Sequence, residues 1–593
     1  MGEDRRQQVV DGRTTLGIEL GSTRIKACLV DEDLVPIAAG AHEWENEFVD
    51  GRWTYSLEAV ENGLRAAYAA LVADVEAQYG VTPTSFRAAG VSAMMHGYLA
   101  FDADDELLVP FRTWRNTSTG PAAERLSEAL GFNIPLRWSI AHLYQAVLDD
   151  EPHVSELAGI TTLAGYVHRR LTGRDVLGVG DASGVFPIDN SPADSGPGDP
   201  GSRDFDAAML AQTQELLGDA VPDLRALLPE VLVAGDDAGA LTPEGAAWLD
   251  PSGSLRPGVP LCPPEGDAGT GMVATNAVAP RTGNVSVGTS IFAMVVLEHP
   301  LETAHEELDI VTTPSGDAVA MVHCNNGASE IASWARVFGR FGAAAAARTG
   351  STPPDIDDVY ATLLAEAVAE STDADAGGLL SFNYLAGEPV THVEDGRPLL
   401  LRTPDARFTL GNLVRSEVHG AFATLAIGMD VLHGEHVEVD RMTAHGGLFR
   451  TPGAPQQLLA AALRVPVALE ETAGEGGAWG IAVLAAYLEH TEHGLGDFLA
   501  DTVFGGGSVH VAEPEDRDVQ GFQTYLDRYR AALPVQAAAA AATQPSRSDT
   551  GAEQATEPDA TATGGTTTSA TTHAGEPTTA ADPRLQAVKE PTR

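Results

Sequence analysis

The chain has 593 residues and a formal net charge of −48, so it is too long for one hydrophobic core and predicts two large domains. Such an acidic protein is excluded from binding a nucleic acid backbone, which requires basic surface. Its only lysines are Lys26 and Lys589, and neither follows a Gly-x-x-x-x-Gly pattern, so a Walker-type phosphate loop is excluded as well.

The sequence shows no pattern typical of a membrane span, a signal peptide, a disulfide framework or a cysteine metal site. No apolar run reaches the roughly 20 residues that a membrane helix needs, and no apolar stretch follows Arg5 and Arg6, so no signal peptide is visible. The three cysteines, Cys28, Cys262 and Cys324, are too widely spaced for a disulfide framework or a metal cluster. We therefore expect a cytoplasmic protein without nucleic acid or membrane partners.

Three short strands are predicted at the start of the chain. Residues 14–30 alternate between apolar and polar side chains on both sides of a turn at Gly21-Ser22, and a third run covers residues 35–39. Apolar residues then recur every three or four positions over residues 56–78, which predicts a helix, and residues 88–95 predict a buried strand. Strand, strand, strand, helix, strand is the opening order of an actin-like ATPase domain.

A second cycle with the same order begins near Arg281. Residues 284–290 and 291–297 predict a hairpin, residues 319–323 a third strand, and residues 329–340 a helix. Both cycles contain a glycine-hydroxyl turn in their first hairpin. Backbone N–H groups in such turns bind phosphate, so the repetition predicts a nucleotide held in a cleft between two related domains.

Two segments are predicted to lie outside the packed domains. Residues 191–202 are rich in Pro, Gly, Asp and Ser and predict a surface loop. From Ala537 onward the chain contains mainly Ala, Thr, Gly, Pro and acidic residues, with no aromatic side chain, which predicts a disordered tail. The predicted units are therefore residues 14–278, residues 279–535 and a tail over residues 536–593.

Five motifs follow one another along the chain: Gly17-Ile18-Glu19-Leu20-Gly21-Ser22-Thr23-Arg24-Ile25-Lys26, Met95-His96-Gly97, Gly266-Asp267-Ala268-Gly269, Ser286-Val287-Gly288-Thr289-Ser290 and His445-Gly446-Gly447-Leu448. In these motifs the chain resembles the FGGY carbohydrate kinases, and within them the xylulose kinases, from about Leu16 to about Arg530. The resemblance implies an α/β fold with two actin-like ATPase (ribonuclease H-like) domains flanking the nucleotide cleft. It also implies ATP and Mg²⁺ as cofactors, a small sugar such as the ketopentoses xylulose or ribulose as substrate, and a monomer or homodimer.

The acidic residues of these motifs have implied roles in phosphoryl transfer. Asp267, in a glycine-flanked turn, is the expected general base for the sugar hydroxyl, and the alternative is that it caps a turn or helix. Glu19 and Asp267 are the expected Mg²⁺ ligands. Glu19 departs from the family, which normally carries aspartate at this position, and the alternative is that it only orders its hairpin.

The remaining motif residues are expected to bind the two substrates. For the sugar they are Met95, His96 and Gly97, together with Trp114, Arg115 and Asn116, for which ordinary loop packing is the alternative. For ATP they are Gly21, Ser22, Thr23, Lys26, Gly288, Thr289, Ser290, Gly446, Gly447, Leu448 and Gly477. The alternative for Lys26 is an ordinary strand residue, and for Gly477 it is part of a loop and helix start.

Other departures from the family leave the sugar open. Residues 137–143 carry His142 where relatives have a lysine-bearing stretch, and residues 163–166 lack the usual lysine and aspartate. The alternative function is a non-catalytic sugar or nucleotide sensor on the same fold, which the retained Asp267 disfavours. A protein-directed ATPase is disfavoured by the sugar-binding motif Met95-His96-Gly97.

Overall fold

The computed structural model describes residues 2–190, 203–451, 453–469, 476–506 and 509–543. Residues 2–543 belong to one compact unit. The surface loop predicted at residues 191–202 and the predicted tail from residue 544 onward lie outside the described residues.

The described chain contains both strands and helices. The strands are β1 (Thr15–Leu20), β2 (Arg24–Val30), β3 (Pro36–Glu43), β4 (Glu47–Val49), β5 (Arg52–Thr54), β6 (Ala88–Ala93), β7 (Leu99–Phe101), β8 (Gly159–Thr161), β9 (Val176–Gly178), β10 (Glu230–Leu232), β11 (Glu265–Gly266), β12 (Thr282–Val287), β13 (Ile291–Val296), β14 (Leu308–Thr312), β15 (Ala318–Cys324), β16 (Leu379–Asn383), β17 (Pro398–Arg402), β18 (Arg441–His445), β19 (Val467–Leu469) and β20 (His510–Ala512). The α-helices are α1 (Gly2–Asp11), α2 (Leu57–Tyr79), α3 (Gly120–Leu130), α4 (Ser139–Leu148), α5 (Leu163–Thr172), α6 (Val179–Ala182), α7 (Ala207–Leu217), α8 (Leu224–Leu227), α9 (Pro243–Leu249), α10 (Asp267–Ala274), α11 (Ser329–Thr349), α12 (Ile356–Ala367), α13 (Leu410–Gly434), α14 (Ala454–Leu463), α15 (Gly477–Tyr487), α16 (Leu495–Phe498), α17 (Asp516–Ala532) and α18 (Val535–Thr543).

The first large sheet has the strand order β11-β6-β1-β2-β3. Strand β1 pairs antiparallel with β2 and parallel with β6, and β6 pairs parallel with β11. The carboxyl ends of β1, β6 and β11 therefore meet at one edge of the sheet, where Glu19, Met95 and Asp267 lie at or just beyond the strand ends. The three strands predicted at the start of the chain are confirmed, and the third is longer than predicted.

The second large sheet repeats this arrangement. Its order is β14-β15-β13-β12-β18-β19-β20, with β12 antiparallel to β13 and parallel to β18. The predicted second hairpin and its third strand are confirmed as β12, β13 and β15. Strands β14 and β20, which extend the two edges, were not predicted from the sequence because both are short and their apolar alternation is weak.

Helix α2 shows how local sequence defines these elements. It begins after Ser56, whose hydroxyl accepts a hydrogen bond from the Ala59 N–H at 3.1 Å, and ends at Gly80 in the left-handed conformation with φ of 67°. Its buried residues recur at the predicted helical spacing and pack toward the first sheet. The helix predicted over residues 56–78 is therefore confirmed to within a residue.

Helix α15 belongs by sequence number to the second half of the chain, yet it packs on the first sheet. An ideal Cβ atom at Gly17 of β1 would lie 2.0 Å from the Ala478 carbonyl oxygen. An ideal Cβ atom at Gly480 of α15 would lie 2.2 Å from the Thr270 carbonyl oxygen. The helix is therefore in backbone-to-backbone contact with β1 and α10. Its side chains share a hydrophobic core with residues from both halves of the chain.

The start of the predicted tail is ordered. Residues 536–543 form most of helix α18, in which the Gln536 side chain accepts a hydrogen bond from the Arg397 N–H at 2.8 Å and donates one to its carbonyl at 3.0 Å. Alanine has the highest helix propensity, so this alanine-rich segment needs little burial to remain helical. Among the described residues, no helix is long and apolar enough to cross a membrane.

The contact at Gly17 yields a stability prediction. Gly17→Ala places a methyl group against the backbone of α15, which cannot move aside as a side chain can, and we expect a loss of about 1–3 kcal/mol of unfolding free energy. Urea unfolding monitored by circular dichroism measures the loss. Gly120→Ala is the matched control, because its Cβ meets no heavy atom within 4 Å. Equal midpoints for the two variants contradict the prediction.

Candidate active site

The turn between β1 and β2 has its carbonyl groups bonded from behind. The Gly21 carbonyl accepts a hydrogen bond from Trp44 Nε1 at 2.7 Å, and the Ser22 carbonyl accepts one from the Tyr55 hydroxyl at 2.5 Å. The rings of Trp44 and Tyr55 stack with centroids 4.2 Å apart, so the support is rigid. No described residue accepts a hydrogen bond from the N–H groups of Ser22 and Thr23.

The turn between β12 and β13 has the same arrangement, supported by backbone groups instead of aromatic side chains. The carbonyls of Gly288 and Thr289 accept hydrogen bonds from the N–H groups of Ala328 and Gly327 at 2.8 and 2.7 Å. The N–H groups of Thr289 and Ser290 have no acceptor among the described residues. Peptide N–H groups that face outward from a turn form an anion-binding site, and the chain contains two of them.

The segment predicted to bind adenosine lies beside the second turn. Strand β18 pairs parallel with β12, so Gly446 and Gly447 follow the strand end next to Val287. Gly446 has φ of 104°, and an ideal Cβ there would lie 2.5 Å from the Val287 carbonyl oxygen, whereas the Cβ position of Gly447 is open. Leu448 is buried beneath them. The predicted residues of this segment are thus brought together with Gly288, Thr289 and Ser290.

Asp267 lies at the end of β11 and starts helix α10. One carboxylate oxygen, Oδ1, accepts a hydrogen bond from the Met95 N–H at 3.1 Å, which fixes the side chain against the sugar motif. Burial raises the pKa of Asp267 to about 6, and the negative charge of Glu19 contributes to the rise. A carboxylate in this state is suited to accept a proton near neutral pH.

Glu19 and Lys26 form a charged pair beside Asp267. Glu19 lies opposite Lys26 in the β1–β2 pairing, and Lys26 Nζ is 3.5 Å from Glu19 Oε2, which has no hydrogen-bond partner among the described residues. An ideal Cβ at Gly477 would lie 2.7 Å from Glu19 Oε1, so the start of α15 confines the carboxylate. Lys26 and Gly477 are therefore both brought to Glu19.

The donor set fits Mg²⁺ held by carboxylates, water and phosphate. Mg²⁺ keeps several waters and commonly takes only one or two protein carboxylates, together with substrate phosphates. Glu19, whose buried Oε2 has no hydrogen-bond partner among the described residues, and Asp267 are the two carboxylates that would hold it. Within the described ranges no cluster of three or more His, Cys, Asp or Glu side chains forms an all-protein metal cage.

Two further buried acids, Asp181 and Glu265, were not predicted to belong to the site. Glu265 accepts hydrogen bonds from the N–H groups of Gly180 and Asp181 at 3.4 and 3.1 Å, while Asp181 accepts one from the Thr162 hydroxyl at 2.5 Å. Burial raises the pKa of both carboxyl groups; the charge of Asp181 adds to the rise at Glu265, and the charge of Asp267 adds to the rise at Asp181. The sequence does contain a signal, because Gly180-Asp181-Ala182 repeats the pattern of Gly266-Asp267-Ala268.

The sugar motif follows the end of β6. His96 is in the left-handed region with φ of 69° and its Nδ1 lies 3.4 Å from the Gly184 carbonyl oxygen. Burial lowers the pKa of His96 well below its usual value, so the ring is neutral and can both donate and accept a hydrogen bond. Trp138, a buried residue not included in the predicted site, stacks on His96 with centroids 6.4 Å apart.

The residues Trp114, Arg115 and Asn116 do not all fit the sugar role predicted for them. Asn116 is buried, and its amide nitrogen donates to the carbonyls of Trp53 at 2.8 Å and Thr113 at 3.1 Å while its oxygen accepts from the Trp53 N–H. Both of its amide hydrogens therefore brace the loop, which favours the loop-packing alternative for this residue. Trp114 Nε1 donates to the Ser22 hydroxyl at 3.2 Å, and the Arg115 guanidinium lies 3.9 Å from the Trp53 ring centroid.

Comparison with known families covers both halves of the chain. Residues 14–269 match the N-terminal domain of the FGGY family of carbohydrate kinases, and residues 283–489 match its C-terminal domain. The chain is also 20% identical over 532 residues to a xylulose kinase of Haemophilus influenzae, which covers 87% of this chain and 98% of that protein.

Solved structures share the fold at low sequence identity. A xylulose kinase from Rhodospirillum rubrum superposes with a TM-score of 0.70 at 18% identity, covering 88% of this chain and 99% of that one. A gluconate kinase from Lactobacillus acidophilus gives the same TM-score of 0.70 at 16% identity, covering 90% and 100%. The predicted two-domain α/β fold is therefore confirmed, whereas the likeness does not distinguish among sugars.

The buried acid pair predicts how stability depends on pH. Glu265 keeps its proton in the folded protein, so the stability that this group contributes is lost as pH rises from about 4.5 to about 8. Glu265→Gln cannot ionise, and we expect the variant to lose less stability than the wild type over that interval, by on the order of 1–3 kcal/mol. Thermal unfolding at both ends of the interval measures the difference. The exposed Glu215→Gln serves as control, and parallel pH curves for wild type and Glu265→Gln contradict the prediction.

Proposed function

Because the chain belongs to the FGGY family of carbohydrate kinases, we propose that it transfers the γ-phosphate of ATP to a hydroxyl of a small ketose, with Asp267 as the general base. The protein is an ATP-dependent sugar kinase that uses Mg²⁺. A ketopentose, xylulose or ribulose, is the substrate that we propose, since the matching curated relatives are named xylulose kinases.

The hydrogen bond from the Met95 N–H to Asp267 Oδ1 is the observation that carries this proposal. It ties the acid directly to the sugar motif, because His96 is the next residue after Met95. A sugar hydroxyl bound at His96 lies within reach of an Asp267 oxygen that can take its proton as the hydroxyl attacks phosphorus. The raised pKa of Asp267 supports the same role.

The two turns supply the nucleotide site in this proposal. The free N–H groups of Ser22 and Thr23 bind phosphate oxygens from one side, and those of Thr289 and Ser290 bind from the other. Gly446, Gly447 and Leu448 place adenosine next to the second turn. We accordingly assign the sugar site to residues 14–278 and the adenosine site to residues 279–535.

Glu19 and Lys26 adjust the charge at the phosphates. When bound, Mg²⁺ neutralises developing charge on the phosphate oxygens. Glu19 is the residue that would hold it, because its Oε2 has no hydrogen-bond partner among the described residues and lies 3.5 Å from Lys26 Nζ. Once Glu19 binds the cation, the Lys26 ammonium becomes available to a phosphate oxygen. The sensor alternative has no observation in its favour, since Asp267 keeps the geometry of a base.

Replacing the proposed base separates chemistry from binding. Asp267→Asn keeps the side chain's size but cannot accept the hydroxyl proton, so we expect kcat to fall by about 10²–10⁴-fold while ATP still binds. A coupled ADP-release assay with xylulose and ribulose measures kcat, and calorimetric titration measures ATP binding. The exposed Asp219→Asn is the control. Wild-type turnover by Asp267→Asn excludes this residue as the base.

The pKa of Asp267 also predicts the pH dependence of the reaction. The base must be ionised to act, so kcat/KM should rise about tenfold per pH unit below pH of about 6 and level off above it. The measurement is the initial rate at limiting sugar and saturating ATP across this range. A profile that is flat through the region of pH 6 contradicts the assignment.

A further inference from the structure

One face of the second sheet packs on the first half of the chain. Met294 of β13 and Met321 of β15 share a hydrophobic core with Ile140, Ala182 and Val185. Side chains two residues apart on a strand lie on the same face. His323, two residues after Met321, is therefore the next side chain along this face in the direction of the strand's carboxyl end.

His323 is held in place at the end of this face. It pairs across the strands with Phe292, and the two rings stack with centroids 4.2 Å apart and planes at 14°. The imidazole is only half-buried, and in the part of the chain that the structure describes neither ring nitrogen has a hydrogen-bond partner. A fixed ring with unused polar atoms is arranged to contact something that the chain itself does not provide.

The sheet face that carries His323 packs against the sugar motif, because Met321 shares a hydrophobic core with Met95 and with Trp138, whose ring stacks on His96. Burial and the positive charge of Arg137 lower the pKa of His323 to about 3. The same Arg137 lowers the pKa of His96, and His323 itself contributes to that lowering, so the three groups are electrostatic neighbours. His323 thus brings a residue of the second half of the chain to the sugar motif of the first half.

The Arg137 guanidinium already has an anionic partner. Its guanidinium forms an ion pair with Asp309 of β14, and Asn133 donates a hydrogen bond to the Leu308 carbonyl at 2.9 Å beside it. With His96 and His323 both uncharged, no unpaired cation remains among these groups to attract a carboxylate. The subsite is therefore suited to hydroxyl groups flanked by aromatic rings.

We propose that His323 is a specificity-determining residue that hydrogen-bonds a hydroxyl of an uncharged polyhydroxy substrate bound at His96, and that it selects neutral ketoses over sugar acids. This inference rests on the proposed function, because it names a further contact of the same sugar site. The neutral imidazole donates from one ring nitrogen and accepts at the other, so it can either donate a hydrogen bond to a substrate hydroxyl or accept one from it.

The test compares His323→Ala and His323→Gln with the wild type. Removing a polar partner from a buried hydroxyl contact costs at least about tenfold, so His323→Ala should lose about tenfold or more in kcat/KM for xylulose or ribulose. Glutamine retains a donor and an acceptor, and should recover part of this loss. The KM for ATP should stay unchanged, and gluconate should remain a poor substrate of the wild type. The exposed His493→Gln is the matched control.

Sugar binding without ATP, measured by calorimetry, makes the outcomes distinguishable. Weaker ketose binding by His323→Ala alone supports the proposal. If His323→Ala leaves ketose binding and kcat/KM unchanged, the proposal for His323 is overturned and the proposed function still stands. The same conclusion follows if His323→Ala loses activity equally for all sugars and also has a lower unfolding temperature. A wild type that prefers gluconate also overturns it. If the wild type neither binds nor phosphorylates xylulose, ribulose or gluconate, this inference and the proposed function both fail.

Discussion

The structure depends on keeping the peptide N–H groups of two strand turns free of internal partners. A backbone polar group that is buried without a partner is costly, so a turn can present free N–H groups only if they face an open site. The protein meets this condition twice by bonding the carbonyl side of each turn from behind. Trp44 and Tyr55 do so in the first turn, and the backbone of Gly327 and Ala328 does so in the second. The two turns thus reach similar geometry with different supporting groups.

A second constraint is the accumulation of acids at the carboxyl end of the first sheet. Ionised carboxylates cannot be buried together without strong repulsion, and a shift of pKa relieves it. The protein divides its acids accordingly. Asp181 and Glu265 are fully enclosed and favour the protonated state, whereas Asp267 is only half-buried and Glu19 faces Lys26. The charges that face the ligands are therefore limited to those with a task in binding or proton transfer.

The sequence predicted those features that are encoded in local patterns of burial. Alternation and helical spacing predicted the opening strands and α2, because each element buries one face on a neighbouring sheet. Contacts between distant segments were not predictable in this way. Glu265 meets the Asp181 N–H across 84 positions of sequence, and Asn116 braces Trp53 across 63. Neither contact leaves a periodic pattern in the sequence, so the acid pair and the bracing of Trp53 by Asn116 were not predicted.

The packing of α15 connects the second half of the chain to the first sheet. The helix follows the second sheet in sequence but lies against β1, and its first residue, Gly477, confines Glu19. A side chain at Gly477 would meet Glu19 Oε1 at 2.7 Å, so glycine sets how closely the helix and the carboxylate approach. The Lys26 ammonium lies 3.8 Å from the ideal Cβ position of Gly476, immediately before the helix. The start of α15 therefore lies against both Glu19 and Lys26, so the position of this helix limits the positions that the two charged side chains can take.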